Sequence, residues 1–160
     1  MEQHNIQPIF NSQSKILVLG SFPSVKSREG QFFYDHPANR FWKVLGGVLE
    51  QEVPRTHNEK RSFLLENGIA LWDVLSSCDI TGSSDASIRH CSPNDLTLIM
   101  NTADIQAIFC NGATAFRYFE QFDAGNISLN AVKLPSTSPA NAAFSLQKLI
   151  DQWRVIAAYL

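Results

Sequence analysis

The sequence predicts an α/β fold, a three-layer α/β/α sandwich around a central, mainly parallel sheet of four strands. Three observations lead there. Four short apolar runs begin at Lys15, Ile69, Ile105 and Ala131, each of strand rather than helix length. The segments between them carry apolar residues at the three- and four-residue spacing of amphipathic helices. Strands that alternate with helices form a parallel sheet through right-handed crossovers, with helices on both faces.

Taken in order, Lys15-Ile16-Leu17-Val18-Leu19 ends at Gly20 and reads as a central strand. From Asn39 to Glu50, Phe41, Leu45, Val48 and Leu49 share a helical face that Gly46-Gly47 weakens by about 1 kcal/mol per glycine. Thr56-His57-Asn58-Glu59 has capping-box spacing, so a helix should run from it to Asn67 and stop at Gly68. Ile69 to Val74 is the second strand. Ser92-Pro93-Asn94-Asp95 offers a cap, a first-turn proline and an acid, predicting a helix start there. Ile105 to Cys110 is the third strand, and Asn111-Gly112 opens a helix through Phe116 and Phe119. The fourth strand, Ala131 to Leu134, enters a Pro-rich loop whose Asn141 is positioned to cap a last helix. That helix carries an apolar stripe from Leu146 to Leu160.

A chain of 160 residues suits one domain spanning 1–160, burying roughly 70% of its unfolded surface. With 44% apolar and 18% charged residues, disorder is excluded. No apolar stretch reaches membrane-spanning length and the polar opening lacks a signal-peptide pattern, so a cytoplasmic protein is expected. Cys78, Cys91 and Cys110 are odd in number and never spaced Cys-x-x-Cys, which argues against a disulfide framework or a cysteine cluster. Net charge is −2, yet residues 15–61 hold eight Lys or Arg against five acids, a local excess that permits a phosphate backbone without demanding it.

In an open parallel sheet, ligands bind beyond the carboxyl ends of the strands. Here those ends are Gly20 to Ser24, Asp73, Asn111 and Ser136 to Asn141. Common catalytic devices are missing from them. Gly20-Ser21-Phe22-Pro23-Ser24 is not a Gly-x-Ser-x-Gly elbow, and no phosphate-binding Gly-rich loop occurs. His4, His36, His57 and His90 are scattered, so neither a metal nor another cofactor is expected. What remains is an edge of amides and hydroxyls, with Asn39, Asn111, Asn141, Ser136 and Ser138, plus the acid Asp73. Amides suit the edge of a flat heterocycle, and Phe22, Phe33 and Tyr34 offer a stacking face, so a nucleobase is the natural occupant.

The order of Gly20-Ser21-Phe22-Pro23-Ser24, His36-Pro37-Ala38-Asn39-Arg40-Phe41-Trp42, Gly68-Ile69-Ala70-Leu71-Trp72-Asp73-Val74 and Leu134-Pro135-Ser136-Thr137-Ser138-Pro139-Ala140-Asn141 resembles the hypoxanthine-DNA glycosylase family of the uracil-DNA glycosylase superfamily. The resemblance covers nearly the whole chain. It implies a uracil-DNA glycosylase-like fold and hydrolysis of the bond between deoxyribose and a deaminated base in double-stranded DNA, leaving an abasic site. It also implies that Gly20 to Ser24 line the base pocket, while Ser136, Thr137, Ser138, Pro139, Ala140 and Asn141 contact DNA at the lesion. Arg40 is expected to add phosphate attraction.

The first loop departs from much of the superfamily, because Ser21, Phe22 and Ser24 include no acid or amide to hold water. The resemblance instead implies catalysis by Asn39, with a water positioned through its amide oxygen. Asp73 stands where the superfamily reads the base, usually with Asn, and is also the rival catalytic group. Asn111 is a candidate donor to the departing base. The loop after the fourth strand lacks the His that precedes Pro-Ser in the uracil-specific branch. A monomer is expected, since the loop edge must stay free for a kinked duplex. Two other readings stay open at this point: a uracil or mismatch-specific glycosylase, and a non-catalytic module binding damaged bases or nucleotides. A hydrolase using Ser21 or Ser136 lacks a well-placed His.

Overall fold

The computed structural model describes residues 1–160. Its elements are β1 (Glu2–Gln3), β2 (Ile16–Gly20), α1 (Val25–Gly30), α2 (Phe41–Leu49), α3 (His57–Glu66), β3 (Ile69–Asp73), β4 (Leu75–Asp79), β5 (Arg89–Pro93), α4 (Thr97–Thr102), β6 (Ala107–Asn111), α5 (Ala113–Phe122), β7 (Ala131–Leu134) and α6 (Leu146–Trp153). The main sheet has the order β3-β2-β6-β7 with every pair parallel, as the alternation of apolar runs and amphipathic segments predicts. All five residues of β2 and of β3 are buried, which is why both read as unbroken apolar runs rather than alternating ones.

Register then determines what lies at the ligand-binding edge. Gly20 pairs with Asp73, Leu19 with Cys110 and Asn111 with Leu134. The last residues of β2, β3 and β6 and the loop leaving β7 therefore emerge side by side. Two helices close over this arrangement. Helix α2 buries Phe41, Trp42, Val44, Leu45 and Val48, and it packs on α6, whose Trp153 is fully buried and donates Nε1–H to the Pro135 carbonyl at 2.9 Å. Gly47 has a role here, since a Cβ at that position would lie 2.5 Å from Ile150 Cδ1. The glycine costs helix propensity and permits the close α2–α6 approach.

The capping box before α3 is formed in both directions. Thr56 Oγ1 accepts from Glu59 N at 3.0 Å, and Glu59 Oε2 accepts from Thr56 N at 3.4 Å. Three expected boundaries shift. Ser92 and Pro93 belong to β5, which pairs antiparallel with β4, and α4 starts at Thr97, whose N–H is taken by Asp95 Oδ1 at 3.0 Å. Strand pairing there displaces the local cap. Asn141 does not cap the last helix: its Nδ2 donates to the Ser136 carbonyl at 3.0 Å, and Ser145 Oγ caps α6 by accepting from Lys148 N at 3.2 Å. The apolar stripe of α6 continues past Trp153 as a 3-10 turn, Arg154–Tyr159.

A second sheet, β1-β4-β5, has no counterpart in the sequence reading. It extends from the end of β3 and is tied down by the amino-terminal segment. Ile9 exchanges backbone hydrogen bonds with Leu71 at 2.9–3.0 Å, Trp72 Nε1 donates to the Ile6 carbonyl at 3.1 Å, and His4 Nε2 donates to the Leu75 carbonyl at 2.7 Å. No helix is long and apolar enough to cross a membrane.

Candidate active site

A cleft of about 320 Å³ opens where the parallel strands end. Its wall includes Gly20, Ser21, Phe22, Pro23, Ser24, Phe33, Tyr34, Asn39, Asp73, Asn111 and the segment Ser136 to Ala140, so all but two of the residues singled out in the sequence meet there. Arg40 and Asn141 are the two outside it.

One buried hydroxyl organises the amides. Thr137 is 0% exposed. Its N–H donates to Asn111 Oδ1 at 3.0 Å, which fixes the orientation of that amide. Asn111 Nδ2 in turn donates to Thr137 Oγ1 at 3.0 Å, and the hydroxyl donates onward to Asn39 Oδ1 at 2.9 Å. Asn39 Oδ1 also accepts the Phe41 N–H at 3.0 Å, at the first residue of α2. The expected DNA contact by the Thr137 side chain is therefore corrected: it is enclosed between two amides. The expectation for Asn39 also changes. Both lone pairs of its oxygen are taken, so the group left to face the cleft is Nδ2, a donor.

Arg40 is the second correction. Its Nη2 donates to the carbonyls of Ser138 and Asn141 at 3.0 Å each, and Nη1 donates to that of Phe144. Its backbone N–H donates to the Thr137 carbonyl at 3.1 Å. The guanidinium clamps the last loop from inside and is committed before any phosphate arrives. Within that loop Ser136 Oγ accepts from Ser138 N and Ser138 Oγ from Ala140 N, both at 3.1 Å, leaving Pro139 and Ala140 exposed at the tip.

The first loop is tied down on the other side. Ser24 Oγ accepts from Ser27 N at 3.1 Å and caps α1, and Ser27 Oγ accepts from Asp35 N at 3.1 Å. Phe22 is buried, with the His4 ring edge-on at 5.2 Å and the Arg28 guanidinium over its ring at 5.4 Å. Ser21 Oγ donates to Asp85 Oδ1 at 3.0 Å. Asp85 lies in the 3-10 turn Asp85–Ser87, outside every motif, and brings to the cleft rim a carboxylate that sequence reasoning missed. Its only sequence signal is an acid beside a Gly-Ser-rich turn.

At the floor lies an uncompensated pair. Asp73 is 4% exposed and its carboxyl has no protein hydrogen-bond donor, with Oδ2 fully buried. Burial first, and then the charge of Asp85, pushes its pKa up to about 7. The Tyr34 hydroxyl is likewise buried and without a geometric partner. Burial first, then the charge of Asp73, holds that phenol well above its ordinary range, with the Asn111 amide acting the other way. The Tyr34 ring is not an open stacking face: it lies against Phe41 at 4.1 Å and 25°. No group of three or more His, Cys, Asp or Glu side chains converges to hold a metal ion.

A model of the uracil DNA glycosylase superfamily matches residues 7–158. The chain belongs to that superfamily. A hypoxanthine DNA glycosylase from Methanosarcina acetivorans is 30% identical over 158 residues, covering 98% of each chain. One from Methanosarcina barkeri is 28% identical over 120 residues, 74% of this chain and 76% of the relative. The solution NMR structure of a candidate uracil DNA glycosylase from Methanosarcina acetivorans superposes with a TM-score of 0.80 at 28% identity, covering 97% of this chain and 98% of that one. The fold and the class, DNA glycosylase, follow from that membership.

Two outcomes follow from the geometry. Thr137→Val removes the hydroxyl that joins the amides while keeping its shape, so unfolding free energy should fall by about 1–3 kcal/mol in urea titration, and Thr137→Ser should recover most of it. For Asp73, folding raises the pKa above the ordinary carboxyl value of 3.8 to about 7. The native state thus holds a proton that the unfolded state has lost, and stability falls as pH rises through that window. Asp73→Asn abolishes this contribution. The variant should match wild type near pH 4 and exceed it in stability near pH 8, by on the order of 3 kcal/mol in paired denaturation curves.

Proposed function

We propose that this glycosylase excises hypoxanthine from deoxyinosine in double-stranded DNA by hydrolysis, without a cofactor, as the first step of base excision repair. The observation that carries the reading is Asp73, a buried carboxyl acceptor with no protein donor, at the floor of the strand-end cleft. A base with a ring N–H supplies the missing donor, and deamination of adenine creates that N–H at N1 of hypoxanthine. The names of the two Methanosarcina relatives favour the same base. Uracil also presents a ring N–H, and the solved relative described as a candidate uracil DNA glycosylase keeps it as the second substrate to test.

The target nucleotide rotates out of the duplex, at a cost of a few kcal/mol that is smallest at a damaged or mismatched pair. Phe22 and Phe33 wall the cleft, and the exposed tip Pro139-Ala140 is the part of the last loop free to enter the duplex. Asn39 holds the attacking water by donating from Nδ2 to its oxygen, leaving the other lone pair for C1′. Facing the water through a donor, Asn39 cannot take its proton, which leaves after the C1′–O bond forms, to the departing base that carries the glycosidic electron pair or to bulk water. The acceleration therefore comes from placement beneath a sugar of oxocarbenium character and from donors on the departing base. The second Nδ2–H of Asn111, not used by Thr137, is one such donor. The enzyme acts as a monomer with the cleft edge open.

Purified protein in EDTA, incubated with duplexes carrying hypoxanthine, xanthine or uracil and then treated with alkali, should give strand scission at hypoxanthine fastest. Asn39→Ala should lower single-turnover excision by at least about 100-fold with little change in DNA affinity. Binding without scission, or uracil released far faster than hypoxanthine, contradicts the reading. Wild-type rates in the variant remove Asn39 from the mechanism.

A further inference from the structure

The phenol beside Asp73 belongs to a residue that the motifs left as a stacking face. Tyr34 adopts a left-handed backbone, φ 49°, which a bulky side chain enters only under strain. Its ring is fixed against Phe41. Those two restraints carry the hydroxyl to a buried position at the end of β2 where it satisfies no protein acceptor. A Cβ on Gly20 would lie 2.4 Å from Asp73 Oδ1 and 2.8 Å from the Tyr34 hydroxyl, so both oxygens face the same glycine. A buried hydroxyl whose hydrogen finds no acceptor in the free protein destabilises it. A ligand oxygen at that point removes the penalty.

We infer that Tyr34 is a specificity-determining residue whose hydroxyl donates to the carbonyl oxygen of the excised base, next to the ring N–H accepted by Asp73. This rests on the excision reading above. The pair reads a lactam, an N–H adjacent to a C=O. Hypoxanthine offers N1–H and O6 in that order. Adenine, held by the same glycosidic bond, offers the reverse, a ring lone pair and an exocyclic amine. The phenol also acts on the leaving group. As the glycosidic bond breaks, its electron pair passes into the purine and part of that charge reaches O6, so the donated hydrogen bond strengthens in the transition state. Gly20 is required because any side chain there would occupy the space of the two reading oxygens.

The test uses the 160-residue chain, Tyr34→Phe, and two duplexes that differ only along the C6–N1 edge of the target base, one with hypoxanthine and one with unsubstituted purine, which has neither the carbonyl nor the ring N–H. Single-turnover excision of hypoxanthine should fall about 10- to 100-fold in the variant, while excision of unsubstituted purine stays within about twofold of wild type. The thermal midpoint of Tyr34→Phe should equal or exceed that of wild type, because the substitution deletes an unpaired buried hydroxyl. Equal losses on both bases, or undiminished hypoxanthine excision, would overturn the assignment. A wild-type protein that releases no hypoxanthine overturns the excision reading and this inference together, a result distinct from a wild type that releases it and a variant that does so equally well.

Discussion

The hydroxyl of Thr137 holds the cleft in its observed shape. It accepts a hydrogen bond from one amide and donates one to another, so Asn111 at the end of β6 and Asn39 before α2 are oriented by the same atom. The chain separations are 26 and 98 residues, so these bonds also join the loop after β7 to the end of β6 and to the segment before α2. The Arg40 guanidinium extends the tie to three carbonyls of the same loop. Buried hydrogen bonds of this kind are specific because each unpaired alternative costs more than the bond itself contributes. The loop is thus rigid at its base and free at Pro139-Ala140, a division that suits a segment meeting DNA.

The N–H and hydroxyl of Thr137 are fully paired, whereas two side-chain oxygens at the cleft floor are not. Asp73 and Tyr34 end in oxygens that the protein leaves unpaired, and a protein selected for stability alone would have filled those sites with apolar side chains. The same chain that supplies seven hydrogen bonds to the loop around Thr137 and Arg40 leaves its cleft floor costly. In the proposed reading, binding energy from a base with matching edge groups is the physical compensation, and it is available only to a base that has left the duplex.

Much of the fold was legible in the sequence because it is written locally. The runs at Ile16–Gly20, Ile69–Asp73 and Ala107–Asn111 are apolar up to their last residue since both faces of a central parallel strand are covered, and the Thr56 box needs only four residues. The second sheet was not, because Leu75-Ser76-Ser77-Cys78-Asp79 and Arg89-His90-Cys91-Ser92-Pro93 carry no clear alternation and pair through nonlocal contacts. Within the site, the edge at which residues gather followed from topology, while the assignment of each side chain did not. Thr137 lies in a Ser- and Thr-rich loop that reads as exposed, and the carbonyls that engage Arg40 lie 98 to 104 residues away. Asp85 had no motif to announce it. The departure that sequence did reveal, a first loop without an acid or amide, gains meaning from the structure, where Tyr34, Asp73 and Asp85 surround that loop from other elements.

Entry of an extruded base into this cleft, with its N–H and C=O read at the floor as proposed, has a direct structural test. A crystal structure with a duplex containing 2′-fluoro-deoxyinosine, whose fluorine disfavours positive charge on the sugar and so keeps the glycosidic bond intact, tests it most directly. Hypoxanthine is expected out of the stack and inside the cleft, with N1 within hydrogen-bonding distance of the Asp73 carboxyl and Pro139-Ala140 at the vacated position. A base still stacked in the duplex, or one inserted with its N1–O6 edge turned to solvent, would contradict it.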